Sequence, residues 1–138
     1  MAHRRIHSGA PWEVVVGYCR AVVAGAHISI AGTTAVDEKG EIVGEGDAYR
    51  QTERCLAIIE AALESAGARM ADVVRTRLFV TDIDQWESVA RAHRAAFGAS
   101  PPATTMVEVS RLMDPRMLVE VEADAVIAEA SAEIDSAT

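Results

Sequence analysis

Aromatic side chains are scarce: two Trp, two Tyr and two Phe make up 4% of 138 residues. The core therefore has to be built from Val, Ile, Leu and Ala, and alanine lets helices approach a sheet closely. The two cysteines, Cys19 and Cys55, are far apart and form no C-x-x-C pair. This excludes a disulfide framework or zinc spacing and leaves two reduced thiols packed as small hydrophobes. Long apolar runs are also lacking, since Ala21 to Ala31 is broken by His27 and is too short to span a bilayer. Positive charge is in deficit, with 13 Lys and Arg against 21 Asp and Glu and a net charge of -8. That balance argues against a nucleic-acid partner, because phosphate binding draws on clustered Lys and Arg.

Several motifs are absent as well. There is no H-E-x-x-H, no Cys/His cluster and no regular Asp spacing, so no metal site is expected. Without G-x-G-x-x-G, a Walker loop or G-x-S-x-G, neither a phosphate-bearing cofactor nor a serine nucleophile has a motif here; no cofactor is expected. The basic start, Met1 to His7, runs into Ser8, Gly9 and Pro11 without an apolar segment, so no signal peptide and no membrane partner are expected, and the expected location is cytoplasmic.

What the chain does contain is strong alternation near its C-terminal end. Pro101 to Leu112 and Leu118 to Val126 both repeat with period two and read as strands, with Met113-Asp114-Pro115 as the turn between them. The second strand carries Glu120, Glu122 and Asp124 on one face and Val119, Val121, Ala123 and Ala125 on the other. Three acids on one strand face call for solvent, cationic partners or a ligand site.

Tyr18 to Ala24 and His27 to Gly32 read as strands about a Gly25-Ala26 turn, and Val36 to Ile42 as a short hairpin in which Gly40 supplies positive φ. From Asp47 the period changes. Tyr49, Thr52, Leu56, Ile59, Leu63 and Ala66 form one helical face, capped by Asp47 and ended by Gly67. Val73 to Thr81 reads as a strand. A second helix follows, with Asp84 and Glu87 as a capping box, Trp86, Val89, Ala90, His93, Ala96 and Phe97 as its stripe, and Gly98 as its stop. Pro101-Pro102 then forbids helix. The order β-β-β-α-β-α-β-β describes one α+β domain over residues 1–127, a mixed sheet with two helices on one face, followed by a frayed acidic tail over 128–138. Such a sheet has its other face open, and an open face of this size should find a partner.

The run Arg75 to Asp82, the following helix, Pro102-Ala103, Val107-Glu108-Val109-x-Arg111-Leu112 and Glu120-Val121-Glu122-Ala123 resembles the Rid (YjgF-type) superfamily over about residues 14 to 127. The resemblance implies a chorismate-mutase-like protomer in a homotrimer, and for some members hydrolysis of reactive enamines and imines. In the deaminase members a glutamate matching Glu120 positions or activates the attacking water. Tyr18 matches a pocket tyrosine, and Gly32-Thr33 a pocket turn in which Ala31 takes the serine place. Three positions depart from the deaminase pattern. Thr104 stands where an arginine binds the substrate carboxylate, Ala90 where an asparagine lies, and Met106 where a cysteine lies. A hydroxyl cannot reproduce the bidentate charged pair of a guanidinium, so either another cation reaches the site, with Arg20, Arg91 and Arg111 as candidates, or the ligand is not a simple carboxylate.

The residues of the strand itself leave two readings of Glu120 open: a ladder of Glu120 and Glu122 with Arg75 and Arg77, and a site role. Function likewise has two readings. One is an enzyme that hydrolytically deaminates, or adds water to, a small imine or enamine at trimer-interface clefts, with Tyr18, Thr33 and Thr104 as polar contacts. The other is a non-catalytic trimer that binds a small metabolite or regulates another enzyme.

Overall fold

The computed structural model describes residues 2–128. Past Ala128, the expected acidic tail lies outside the described residues. Six strands form one mixed sheet in the order β1-β2-β3-β6-β4-β5. The strands are β1 (Arg4–Ile6), β2 (Ala21–Ala24), β3 (His27–Thr33), β4 (Val73–Val80), β5 (Ala103–Glu108) and β6 (Val119–Val126); the helices are α1 (Pro11–Val16), α2 (Ala48–Ser65) and α3 (Trp86–Phe97). All neighbours are antiparallel except β4 and β5.

The expected helix α2 forms for the expected reasons. The Asp47 side chain accepts a hydrogen bond from the Arg50 amide at 3.0 Å, and Gly67 follows the helix with φ 84°. Its inner face buries Thr52, Leu56, Ile59, Leu63 and Ala66, as the spacing implies. These pack on β3 and β6, where Ile28, Ile30, Val119, Val121, Ala123 and Ala125 point to the same side. Gln51 is fully buried beside them. Its amide nitrogen donates to the carbonyls of Gly44 (3.2 Å) and Arg116 (2.8 Å), and its oxygen accepts from the Leu118 amide (2.8 Å), pinning the loops on both sides of the helix.

Several features differ from the sequence-based expectation. A short strand, β1, and a third helix, α1, precede the expected elements; Pro11 fits the first helical turn and Gly17, at φ 89°, ends it. The strand expected from Tyr18 begins only at Ala21. β5 stops at Glu108 rather than Leu112, and it does not pair with β6. The helix α3 carries the chain across the sheet as a β4-α3-β5 crossover, so β5 lies parallel to β4, and β4 separates it from β6. The segment around Met113-Asp114-Pro115 is thus part of a longer connection, stiffened where both nitrogens of the Arg116 guanidinium fork meet the Asp114 carboxylate.

The start of α3 also differs. Asp82, not Asp84, caps the chain there, accepting from the Asp84 amide at 3.0 Å, and residues Ile83–Gln85 form a 3-10 turn before Trp86. The buried stripe of α3 is Val89, Ala92 and Phe97, whereas Trp86 and Ala96 are exposed. The inserted turn starts α3 one residue later than Asp84 implies, and the buried side of the helix now includes Ala92.

Candidate functional site

The acidic face of β6 lies on the side of the sheet opposite α2 and α3. Arg77 on β4 bridges Glu122 and Asp124, with Nη1 3.3 Å from each carboxylate. Arg75 donates instead to Thr105 Oγ1 at 2.9 Å. The cross-strand ladder therefore exists, but one step along from the expected pairs. Glu120 is left out of it, opposite Phe79 in the register.

What Glu120 meets is set by an irregularity in β3. The pairing of β3 with β6 shifts between Ile30 and Thr33, as a bulge does where it re-aims side chains. Gly32 lies inside this shift, and the Glu120 carboxylate packs onto its Cα so closely that any Cβ there would overlap Oε2. Arg20 reaches the same place: its Nη2 donates to the carbonyls of Ala31 (2.6 Å) and Gly32 (2.7 Å). Burial lowers the Arg20 pKa, and Tyr18, Glu13 and Glu120 nearby oppose that fall; a guanidinium stays charged under such conditions. Burial raises the Glu120 pKa, the charge of Glu122 raises it further, and Arg20 acts against both. This gives a half-buried carboxylate above the usual carboxylate range, beside a fixed cation.

Tyr18 borders this cluster and lines a groove of about 870 Å3 between α1 and the sheet, together with Glu13, Cys19, Val22 and Ala31. Glu13 anchors the groove's rim. It is buried, accepts from the Ser8 amide (3.0 Å) and hydroxyl, and lies 3.1 Å from His7 Nδ1. Burial alone would raise its pKa; the Ser8 hydrogen bonds and His7 outweigh this and hold it below the usual value.

The remaining site candidates lie elsewhere. Thr104 pairs with Thr76 in the β4–β5 register, and Met106 with Leu78, so both point to the α3 side of the sheet. Thr104 Oγ1 is 2.8 Å from Thr76 Oγ1, which is itself 2.9 Å from His93 Nε2. Within one chain Thr104 and Glu120 are on opposite faces, with β4 between their strands. That is about 10 Å across the sheet, and the register adds about 10 Å along it. No small molecule touches both in a single protomer.

Thr33 does not face a ligand space: it is fully buried and its hydroxyl donates to the Ala31 carbonyl at 2.8 Å. Of the candidate cations, only Arg20 stands with Glu120. Arg91 lies 4.7 Å over the Tyr49 ring, between α3 and α2. Arg111 is exposed in the connection after β5. Thr76 was not legible as a site residue. Its signal is a lone hydroxyl at a buried position of an otherwise aliphatic inward row, Val73, Leu78 and Val80. Among the described residues no group of three or more His, Cys, Asp or Glu could hold a metal ion, and no helix is long and apolar enough to cross a membrane.

A mixed sheet with one helical face, a carboxylate-lined open face and a crossover to a parallel edge strand defines an α+β fold. The chain belongs to the YjgF/Rid family: the family model described as Endoribonuclease L-PSP matches residues 9–127. A crystal structure of a Mycobacterium tuberculosis member of the YjgF/YER057c/UK114 family superposes with TM-score 0.84 at 46% identity, covering 91% of this chain and all of that one (100%). An uncharacterized protein of Streptomyces coelicolor is 40% identical over 125 residues, 90% of this chain and 92% of the relative. A 2-iminobutanoate/2-iminopropanoate deaminase of Salmonella typhimurium is 34% identical over 112 residues, 79% of this chain and 86% of that protein.

Proposed function

We propose that residues 1–127 act as one cytoplasmic domain that assembles into a homotrimer, and that clefts between protomers hydrolyse a small imine or enamine. The supporting observation is the separation just described. Glu120 with Gly32, Arg20 and Tyr18 forms one half of a site, Thr104 with Met106 forms another, and only two protomers can bring the halves to one ligand. Glu120 accepts a proton from water as its oxygen bonds to the imine carbon. That proton passes to the nitrogen, giving a carbinolamine; the hydroxyl then gives up its proton, which also goes to the nitrogen as the C–N bond breaks, so ammonia leaves and a carbonyl product remains. A carboxylate whose pKa is raised is a stronger base for this step than an ordinary one, and burial with Glu122 raises that of Glu120.

A second reading is a trimer that binds a metabolite without turnover. It is favoured by Thr104, which offers a hydroxyl where the deaminase members of the family have a guanidinium. Ammonia release from freshly generated 2-iminopropanoate and bulkier imines decides between them. Turnover in wild type that Glu120→Gln abolishes supports the hydrolase. Absence of release from every imine would overturn it in favour of binding alone.

A further inference from the structure

The Arg20 guanidinium is already occupied by the backbone beside it. Arg20 stands just before β2, where its amide donates to the Ile6 carbonyl and its own carbonyl accepts from the Ala31 amide. Its Nη2 donates to two carbonyls at once, Ala31 at 2.6 Å and Gly32 at 2.7 Å, which uses both hydrogens of that nitrogen. Nε is buried and has no hydrogen-bond partner among the described residues. A guanidinium grips a carboxylate bidentately through two neighbouring N–H groups of its planar fork. The pair at the end of the fork needs a hydrogen of Nη2, and the pair along its side needs Nε. The first is taken and the second is closed off by burial. Nη1 remains, and alone it makes a single contact without the geometry of the fork.

The two carbonyls are the ones that the β3 irregularity releases. Ala31 and Gly32 fall between the matched pairs Ile30↔Ala123 and Thr33↔Val121, where the register with β6 shifts. Carbonyls taken out of a ladder need other donors. Arg20 serves both, and the buried Thr33 hydroxyl adds a second bond to Ala31 at 2.8 Å. Gly32 is in turn the surface on which the Glu120 carboxylate rests, with no room for a Cβ between them. The cation therefore meets Glu120 through the bulge. Its charge acts there too, against the burial and the Glu122 charge that raise the Glu120 pKa. Cys55 on α2 lies near both groups, and burial pushes its thiol up to about 12, so it stays neutral.

We infer that Arg20 is a positioning residue and not a cation that grips the ligand: it locks the β3 bulge by the Ala31 and Gly32 carbonyls, and the locked bulge seats the Glu120 carboxylate. This role rests on the reading of Glu120 as the base of an imine hydrolase.

Arg20→Gln and Arg20→Lys in the full-length protein test it by two routes. With 2-iminopropanoate as substrate, Arg20→Gln should lower kcat on the order of a hundredfold, the loss that a misplacement of about 1 Å brings, and leave KM nearly unchanged. Arg20→Lys keeps the charge and a long donor, and should recover part of the loss. A residue that gripped the ligand would instead raise KM and spare kcat. The second route is NMR and needs no turnover. Arg20→Gln should move the Gly32 amide and Glu120 carboxyl signals together and carry the Glu120 titration to higher pH; a role in packing alone would leave that titration in place. Should Arg20→Gln fail to fold, Arg20→Lys should show the loss of kcat and the paired movement of the Gly32 and Glu120 signals on a smaller scale. An effect on KM without one on kcat, or Glu120 signals unmoved in a folded variant, would overturn the inference. Paired movement of the two signals without turnover of any imine would remove the hydrolase and keep the role of Arg20. Turnover with an effect on KM alone would do the reverse.

Discussion

Gly32→Ala separates the fold from the site more sharply than any other substitution. Gly32 lies in the β3 shift, and a Cβ built on it would overlap Glu120 Oε2 while sitting 3.1 Å from Cδ and 3.5 Å from Cγ. Its backbone is not left-handed, so alanine is allowed there and restricts the unfolded chain, a gain of about 0.4–1 kcal/mol. The overlap falls on the free end of a flexible side chain. Swinging the carboxylate aside to an off-rotamer position costs about 0.5–1.5 kcal/mol. The two effects nearly cancel, and a urea melt should move by less than about 1 kcal/mol. Catalysis should not be spared. The carboxylate oxygen has to move by about 1 Å, and a misplacement of that size costs on the order of a hundredfold in rate. Steady-state ammonia release beside the melt reads both quantities. Unchanged turnover in a folded variant would refute the placement of Glu120 as the base; a loss of stability beyond about 3 kcal/mol would show that the clash is not relieved by Glu120 at all.

The same geometry sets a pH dependence. Glu120 works as a base only when ionised, so activity should fall as pH drops through its raised pKa. Glu122 is one cause of that rise, so Glu122→Gln should shift the acid limb of kcat/KM to lower pH; a shift the other way would contradict the electrostatic reading. The sign for stability is opposite. The folded state holds the Glu120 proton to higher pH than the unfolded chain does, so this group's contribution to stability is full below the unfolded carboxylate pKa and is lost as pH rises through the folded value. Away from the site, Gln51→Leu should lower stability by about 2–4 kcal/mol in denaturant melts, because it leaves the Leu118 amide and two carbonyls without their buried partner. A loss below about 1 kcal/mol would mean that water replaces the side chain.

Local signals carried much of the fold. The α2 stripe, its Asp47 cap, Gly67 and the alternation of β6 each depend on residues a few positions apart, and each is found where spacing places it. Strand order was less legible. Both strands near the C-terminal end alternate well, and only the α3 crossover puts β4 between them. The β1 pairing and α1 escaped notice because Trp12-Glu13-Val14-Val15-Val16 has no helical period, and Pro11 and Gly17 set its ends. At the site, Glu120 and Tyr18 could be singled out by resemblance, but the Gly32 contact arises from a register shift that no local pattern announces. Arg20 was one of three candidate cations, and its geometry alone sets it apart from Arg91 and Arg111. The Thr76–His93 contact joins β4 to α3 across 17 positions, and threonine in a strand is too ordinary to flag it.

The central claim, that Glu120 of one protomer and Thr104 of its neighbour serve one ligand, has a direct test in mixed trimers. Glu120→Gln and Thr104→Trp, each folded and each inactive alone, are denatured together, refolded and assayed for imine hydrolysis. Shared sites should restore activity in the mixture, because a Thr104→Trp protomer that contributes Glu120 can meet a Glu120→Gln protomer that contributes Thr104. A mixture that forms heterotrimers yet stays inactive would contradict the claim.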